Sequence, residues 1–114
     1  EQTNWRRMLQ LYDLLLEEKP MPVVCLNRAI VLSQLGHKDE AINEIITIPD
    51  IEKLLSSHYI YSAVLGDLYL QNGDMANACK YLTQARQLTA SHAEQQLIRE
   101  KLQRITSNGN PQAN

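Results

Sequence analysis

The chain repeats a pattern of small and apolar residues, and this repeat limits the possible folds more than any other feature. Three segments, beginning near Thr3, Gly36 and Gly73, align at offsets of 33 and then 37 residues. The aligned sets are Met8/Ala41/Ala78, Tyr12/Ile45/Leu82 and Leu15/Ile48/Ala85, and upstream Ala29 matches Gly66 while Leu32 matches Tyr69. A period of roughly 20–50 residues is typical of repeat architectures in which neighbouring units bury a shared core.

Helical spacing dominates the apolar pattern of the chain. Apolar residues recurring at i, i+3, i+4 and i+7 predict helices rather than strands, and no sustained alternation of period two occurs. The predicted helices cover residues 5–18, 22–35, 38–48, 57–71, 75–88 and about 91–105, with an added turn at 50–56. Ser91 and Glu94 have the spacing of a capping box for the last helix. We therefore predict an all-α fold.

Two glycines lie seven residues apart in an otherwise helical segment. Gly66 costs about 1 kcal/mol relative to Ala within a helix, so we expect it where two helices approach closely. Gly73, like Gly36, is expected to end a helix in the left-handed conformation. Ala41 and Ala78 are small residues that follow these turns and should lie at close helix contacts.

These small residues and glycine turns resemble the tetratricopeptide repeat. The resemblance implies an α-solenoid of antiparallel helix pairs with a C-terminal capping helix, as a single domain over residues 1–106. The tail over 107–114 is polar and contains glycine and proline, so we expect it to be disordered. The first segment aligns with the second helix of a pair, so its partner helix is expected upstream of Glu1. The side of this helix that carries Trp5, Met8, Leu9 and Tyr12 should then be only partly covered, or be covered by a second copy in a homodimer.

A more specific resemblance covers residues 3–105. The matching elements are Leu11-Tyr12-Asp13, Pro20-x-Pro22, Leu26-Asn27-Arg28-Ala29, Leu35-Gly36 and His58-Tyr59. They resemble the tetratricopeptide-like C-terminal extension of bacterial extracytoplasmic-function-type RNA polymerase sigma factors. The resemblance implies a regulatory role in transcription initiation, with the sigma regions of the parent protein, core RNA polymerase or a regulator as partners. A free-standing adaptor that binds peptides or partner helices is the alternative.

Composition excludes several other classes of protein. The formal net charge of the 114 residues is −2 and the basic residues are scattered, which argues against direct nucleic-acid contact. Two distant cysteines, Cys25 and Cys79, form no disulfide framework or metal motif, and no segment is long and apolar enough for a membrane span. We expect a cytoplasmic protein with no cofactor and no metal.

No arrangement of residues predicts catalysis. The three histidines lack metal-ligand spacing, and no phosphate-binding glycine loop follows a strand. Ser57 and His58 are adjacent on the predicted helix, where side chains diverge by about 100°, so we expect no hydrogen bond between them. The sequence predicts a non-enzyme.

The remaining candidates are structural or protein-binding residues. Arg28 lies beside the apolar stripe of its helix and needs a partner, for which Asp13 or Glu17 on the first helix is available; we favour Asp13. The resemblance places the first helix of each pair on a concave, partner-binding face. Residues predicted to lie off the packing stripe there include Asn27, Ile30, Gln34, Val64, Asp67 and Gln71, together with Leu26 and Ser33.

Overall fold

The computed structural model describes residues 4–109, which form seven α-helices and no strand. The helices are α1 (Trp5–Glu18), α2 (Pro22–Gln34), α3 (Lys38–Ile46), α4 (Ile51–Ser57), α5 (Tyr59–Gln71), α6 (Met75–Leu88) and α7 (His92–Gly109). This confirms the predicted all-α helical-repeat fold. The chain divides into two compact units, Glu1–Ile51 and Glu52–Asn114.

The first unit packs three helices in sequence, with α1 against α2 and α2 against α3. Its core consists of buried aliphatic side chains from α2 and α3, namely Leu26, Ala29, Val31, Leu32, Ala41, Ile42 and Ile45. By contrast, α1 has no buried residue. Its Trp5, Met8, Leu9 and Tyr12 are all half-buried, so the described part of the chain covers this side only partly.

The second unit packs α5 against α6 and α6 against α7. Ala78, Leu82 and Ala85 of α6 form one buried cluster with Ile98 and Ile105 of α7. Half-buried Tyr59, Ala63, Tyr69 and Leu70 of α5, Met75 of α6 and Leu102 of α7 surround this cluster. Helix α7 therefore closes the apolar side of α6, as expected of a capping helix.

The same turn connects the two helices of each repeat. Gly36 and Gly73 adopt φ values of 89° and 84°, in the left-handed region that favours glycine. After α2, the His37 amide donates to the Leu32 carbonyl at 2.9 Å and the Gly36 amide donates to the Ser33 carbonyl at 3.1 Å. These paired bonds define a Schellman motif, and equivalent bonds follow α5 around Gly73. Both glycines therefore end their helices as predicted.

Several helix ends differ from the sequence prediction. Helix α3 ends at Ile46 instead of residue 48, because Pro49 disfavours helical geometry in the residue before it. The expected added turn is a complete helix, α4, and it extends to Ser57, so α5 begins at Tyr59. Helix α7 continues to Gly109, three residues past the predicted domain boundary at 106. The rest of the predicted disordered tail, residues 110–114, lies outside the described residues.

Candidate interaction surfaces

Arg28 is the centre of an ion-pair cluster in the first unit. Its Nε lies 2.8 Å from Asp13 Oδ1 of α1, and its Nη1 lies 2.9 Å from Glu44 Oε1 of α3. The structure thus brings together the predicted pair and adds a third member. One guanidinium links α2 to the helices on either side, in a fork geometry that lysine could not reproduce.

Burial differs among the three members of this cluster. The side chains of Arg28 and Glu44 are each 19% exposed, whereas that of Asp13 is 50% exposed. Because screening by water weakens the more exposed pair, the bond to Glu44 contributes more to stability. Burial also raises the pKa of the nearby Cys25 thiol, and the negative charge of Glu44 raises it further. Burial, more than the ion-pair cluster, therefore makes Cys25 a poor nucleophile.

Gly66 fixes the spacing between α5 and α6 in the second unit. A Cβ atom at Gly66 would lie 2.8 Å from Leu82 Cγ and 3.0 Å from the Leu82 backbone nitrogen. Leu82 is 1% exposed and therefore has little room to move. The missing side chain is what allows the two helices to approach this closely.

The first helix of each repeat carries a stripe of accessible residues at intervals of four, three and four. We call these the α2 stripe, formed by Val23, Asn27, Ile30 and Gln34, and the α5 stripe, formed by Ile60, Val64, Asp67 and Gln71. Each member of one stripe corresponds to a member of the other at the repeat offset of 37 residues. Every one of the eight is half-buried or exposed. Each stripe thus offers aliphatic and amide groups together, which suits an extended peptide or a helix.

Two neighbouring residues do not belong to this accessible set. The prediction that Leu26 and Ser33 lie off the packing stripe is wrong, because they are 3% and 9% exposed. Leu26 belongs to the core of the first unit, and the Ser33 hydroxyl donates to the Ile30 carbonyl at 2.7 Å. A small polar side chain can be buried when its own helix supplies the hydrogen-bond acceptor.

Asp67 of the α5 stripe is already engaged within its unit. Its Oδ1 pairs with Lys101 Nζ of α7 at 3.0 Å, and its Oδ2 accepts a bond from Gln71 Nε2 at 2.9 Å. The capping helix therefore neutralises the one formal charge of the stripe. Sequence reasoning missed Lys101, which lies 34 positions from Asp67, because periodicity does not fix the rotation of α7 about its axis.

Ser57 and His58 do form a hydrogen bond, contrary to the sequence prediction. Ser57 Oγ lies 2.9 Å from His58 Nδ1. The prediction is wrong because it assumed one continuous helix, whereas His58 has extended backbone (φ −124°, ψ 107°) between α4 and α5. The same hydroxyl oxygen lies 2.5 Å from the Lys53 carbonyl. With its single proton directed to that carbonyl, this exposed serine is not activated as a catalytic nucleophile would be.

A third surface is an open depression of about 500 Å³ between α6 and α7. It is lined by Arg86, Arg99, Leu102, Gln103 and Thr106. No group of three or more His, Cys, Asp or Glu side chains that could hold a metal lies in the described part of the chain. None of the helices within residues 4–109 is long and apolar enough to cross a membrane.

Comparison with known proteins identifies the repeat. Residues 61–92, from α5 through α6 to the first residue of α7, match the family model of the tetratricopeptide repeat. An uncharacterized protein of Rhizobium meliloti (strain 1021) is 29% identical over 107 residues, which is 94% of this chain. The chain spans about a quarter of the length of that relative, since the match covers 25% of it. No solved structure matches the chain.

Residues 61–92 thus match a tetratricopeptide repeat, a scaffold that is generally used for protein–protein interaction rather than catalysis. The repeat coincides with the segment in which Gly66, Gly73 and Ala78 appear at their expected positions. Neither match has the name of a sigma factor, so the sigma-factor resemblance stays a prediction.

Proposed function

We propose that this domain is a regulatory protein-interaction module of a bacterial RNA polymerase sigma factor and acts in the cytoplasm. The proposal combines the residue-level resemblance over residues 3–105 with the tetratricopeptide repeat at residues 61–92. In this account the domain contacts a protein and adjusts how the sigma regions engage polymerase or promoter. It performs no chemistry and makes no direct contact with DNA.

The observation that carries the interaction part of this proposal is the pair of equivalent stripes. The α2 and α5 stripes keep aliphatic and amide groups accessible at the same four repeat positions, although the cores behind them are tightly buried. Val23 and Ile60, the first members, are 46% and 41% exposed. A partner that contacts both repeats would cover these exposed apolar side chains.

The experiment compares promoter-specific transcription by the whole protein with transcription by a version that lacks residues 1–114. The assay would use purified core polymerase and a promoter that the whole protein recognises, with equal amounts of the two versions. We expect deletion to change the level of initiation or its response to a partner. Equal output and equal regulation by both versions would refute the regulatory role.

A free-standing adaptor fits the tetratricopeptide repeat equally well. The mixture of apolar and amide groups along each stripe would bind an extended peptide or a partner helix. The two functions differ in the parent protein, because only a sigma factor requires a promoter-binding region. If the whole protein stimulates no promoter-specific transcription but binds a peptide through the α2 and α5 stripes, the adaptor function is supported and the sigma-factor role is excluded.

A further inference from the structure

Helix α1 carries a row of side chains that are exposed in the described part of its unit. The row consists of Arg7, Leu11, Leu14 and Glu18 at intervals of four, three and four, and we call it the α1 stripe. Leu11 and Leu14 are 45% and 58% exposed, and Leu15 beside them is 44% exposed. The stripe faces away from the half-buried residues of α1 that pack towards α2.

The equivalent helix of the second unit contacts a neighbouring helix on this side. At the repeat offset of 70 residues, the α1 stripe corresponds to Asn77, Tyr81, Gln84 and Leu88 of α6. All four are half-buried, and the Tyr81 ring stacks on Tyr69 of α5 with 5.8 Å between centroids. In α6 this side therefore contacts α5 through Tyr81, and its two end positions have no charge.

The charges of the α1 stripe are complementary to those of the same stripe in an antiparallel second copy of the chain. Its ends are Arg7 near the start of α1 and Glu18 at the end, and the two leucines lie between them. Neither terminal side chain has an ion-pair partner in the described part of the chain. When two copies of α1 pair antiparallel about the midpoint of the stripe, Arg7 of each copy lies opposite Glu18 of the other, and Leu11 lies opposite Leu14.

We infer that the α1 stripe is a self-association surface, which pairs two copies of the chain through an antiparallel α1–α1 contact. The two-fold arrangement makes every contact twice, so two ion pairs flank a centre of four leucines. Antiparallel helices also place opposite ends of their dipoles side by side. An interface of this small size gives a weak dimer whose population depends on protein concentration. This inference does not depend on the sigma-factor proposal.

Sedimentation equilibrium of the chain, over concentrations up to about 1 mM, tests the inference. We expect wild-type self-association at low salt that weakens as salt increases, because the flanking charges are exposed. Arg7→Glu or Glu18→Arg alone should raise the dimer dissociation constant about fivefold or more, since each creates two like-charge contacts. The combined Arg7→Glu/Glu18→Arg variant should restore wild-type affinity.

A matched pair of leucine variants separates this contact from general apolar association. Leu14→Asp should abolish the dimer, whereas Leu97→Asp should leave it unchanged, although Leu97 on α7 is 54% exposed and equally apolar. Circular dichroism would show that each variant remains helical. A chain that stays monomeric at all concentrations would overturn the inference. So would a charge-swapped variant that remains as weak as the single variants, or an equal effect of Leu97→Asp.

Discussion

Gly66→Ala perturbs the closest approach between α5 and α6. The added Cβ would lie 2.8 Å from Leu82 Cγ and 3.0 Å from Leu82 Cδ2 and the Leu82 backbone nitrogen. Carbon atoms pack best at about 3.5–4.0 Å, so the substitution forces Leu82 or its helix to move by several tenths of an ångström. Leu82 is 1% exposed within the cluster of α6 and α7, and that cluster resists the movement.

Two opposing effects set the magnitude. Replacing Gly by Ala within a helix stabilises it by about 0.8–1.0 kcal/mol. Overpacking a well-filled core costs about 1–3 kcal/mol. We therefore expect Gly66→Ala to lower the free energy of unfolding by about 1 kcal/mol, as the overpacking cost exceeds the gain in helix propensity.

The assay is urea unfolding followed by far-ultraviolet circular dichroism, applied to a double-mutant cycle. Leu82→Ala alone should cost about 2–5 kcal/mol because it leaves a cavity. In that background two of the three crowding atoms are gone, so Gly66→Ala should become neutral or stabilising. The cycle should yield a coupling energy of about 1 kcal/mol or more in favour of the double variant. Stabilisation by Gly66→Ala in the wild-type chain, or zero coupling, would refute the close-packing explanation.

Three further perturbations test the electrostatic and thiol environments. Glu44→Gln should cost about 1–2 kcal/mol of unfolding free energy and Asp13→Asn less than about 1 kcal/mol, because Glu44 is the less exposed ion-pair partner of Arg28. Urea unfolding measures both losses, and equal losses would contradict this ranking. Cys25 should react with Ellman's reagent more slowly than the exposed Cys79, as burial raises the Cys25 pKa; equal rates in single-cysteine variants would contradict it. Hydrogen bonds lower the pKa of Asp74 below its ordinary value of 3.8. The stabilising effect of the Asp74 carboxylate should therefore be complete above pH 3.8 and disappear as the pH falls through the lowered pKa. In thermal unfolding, Asp74→Asn should lose less stability over that pH range than the wild-type chain, and a pH profile equal to that of the wild type would exclude this cap as the cause.

The repeat made most of the fold predictable from sequence. The limits of α1 and α6 agree with the apolar periodicity, because Asn4 and Asp74 accept capping bonds at their starts. Gly36 and Gly73 ended the preceding helices as expected, since local turn chemistry determines both positions. The end of α3 and the start of α5 were less predictable, because the segment between them forms α4 and has no equivalent in the aligned repeat.

Side-chain partners were predictable only where the helix pairing was known. Asp13 could be assigned to Arg28 because adjacent helices of a repeat must pack, and the structure places the two 2.8 Å apart. Glu44 and Lys101 depend on the rotation of α3 and α7 about their axes, which periodicity does not fix. The Ser57–His58 bond was missed for a similar reason, because one extended residue between two helices redirects the side chains.

The half-formed capping box shows how neighbouring residues alter a motif. Ser91 Oγ accepts a hydrogen bond from the Glu94 amide at 3.2 Å, as the spacing predicts. In a complete capping box the Glu94 side chain would accept a hydrogen bond from the Ser91 amide. Here the Ser91 amide donates to Thr89 Oγ1 instead, at 3.2 Å. Gln95 Nε2 in turn donates to the Thr89 carbonyl at 2.9 Å. A buried threonine before the helix thus performs the capping role that the motif assigns to the glutamate.

The central claim is that the α2 and α5 stripes contact a protein partner that regulates transcription. The most direct measurement is promoter-specific transcription by the parent protein carrying Val23→Glu and Ile60→Glu, two exposed positions in the first turns of their helices, where an acidic residue suits the helix dipole. Leu97→Glu, at a leucine of α7 that is 54% exposed, is the control. We predict that the stripe variant changes initiation or its regulation while the control behaves as wild type. Wild-type transcription and regulation by the stripe variant would contradict the claim.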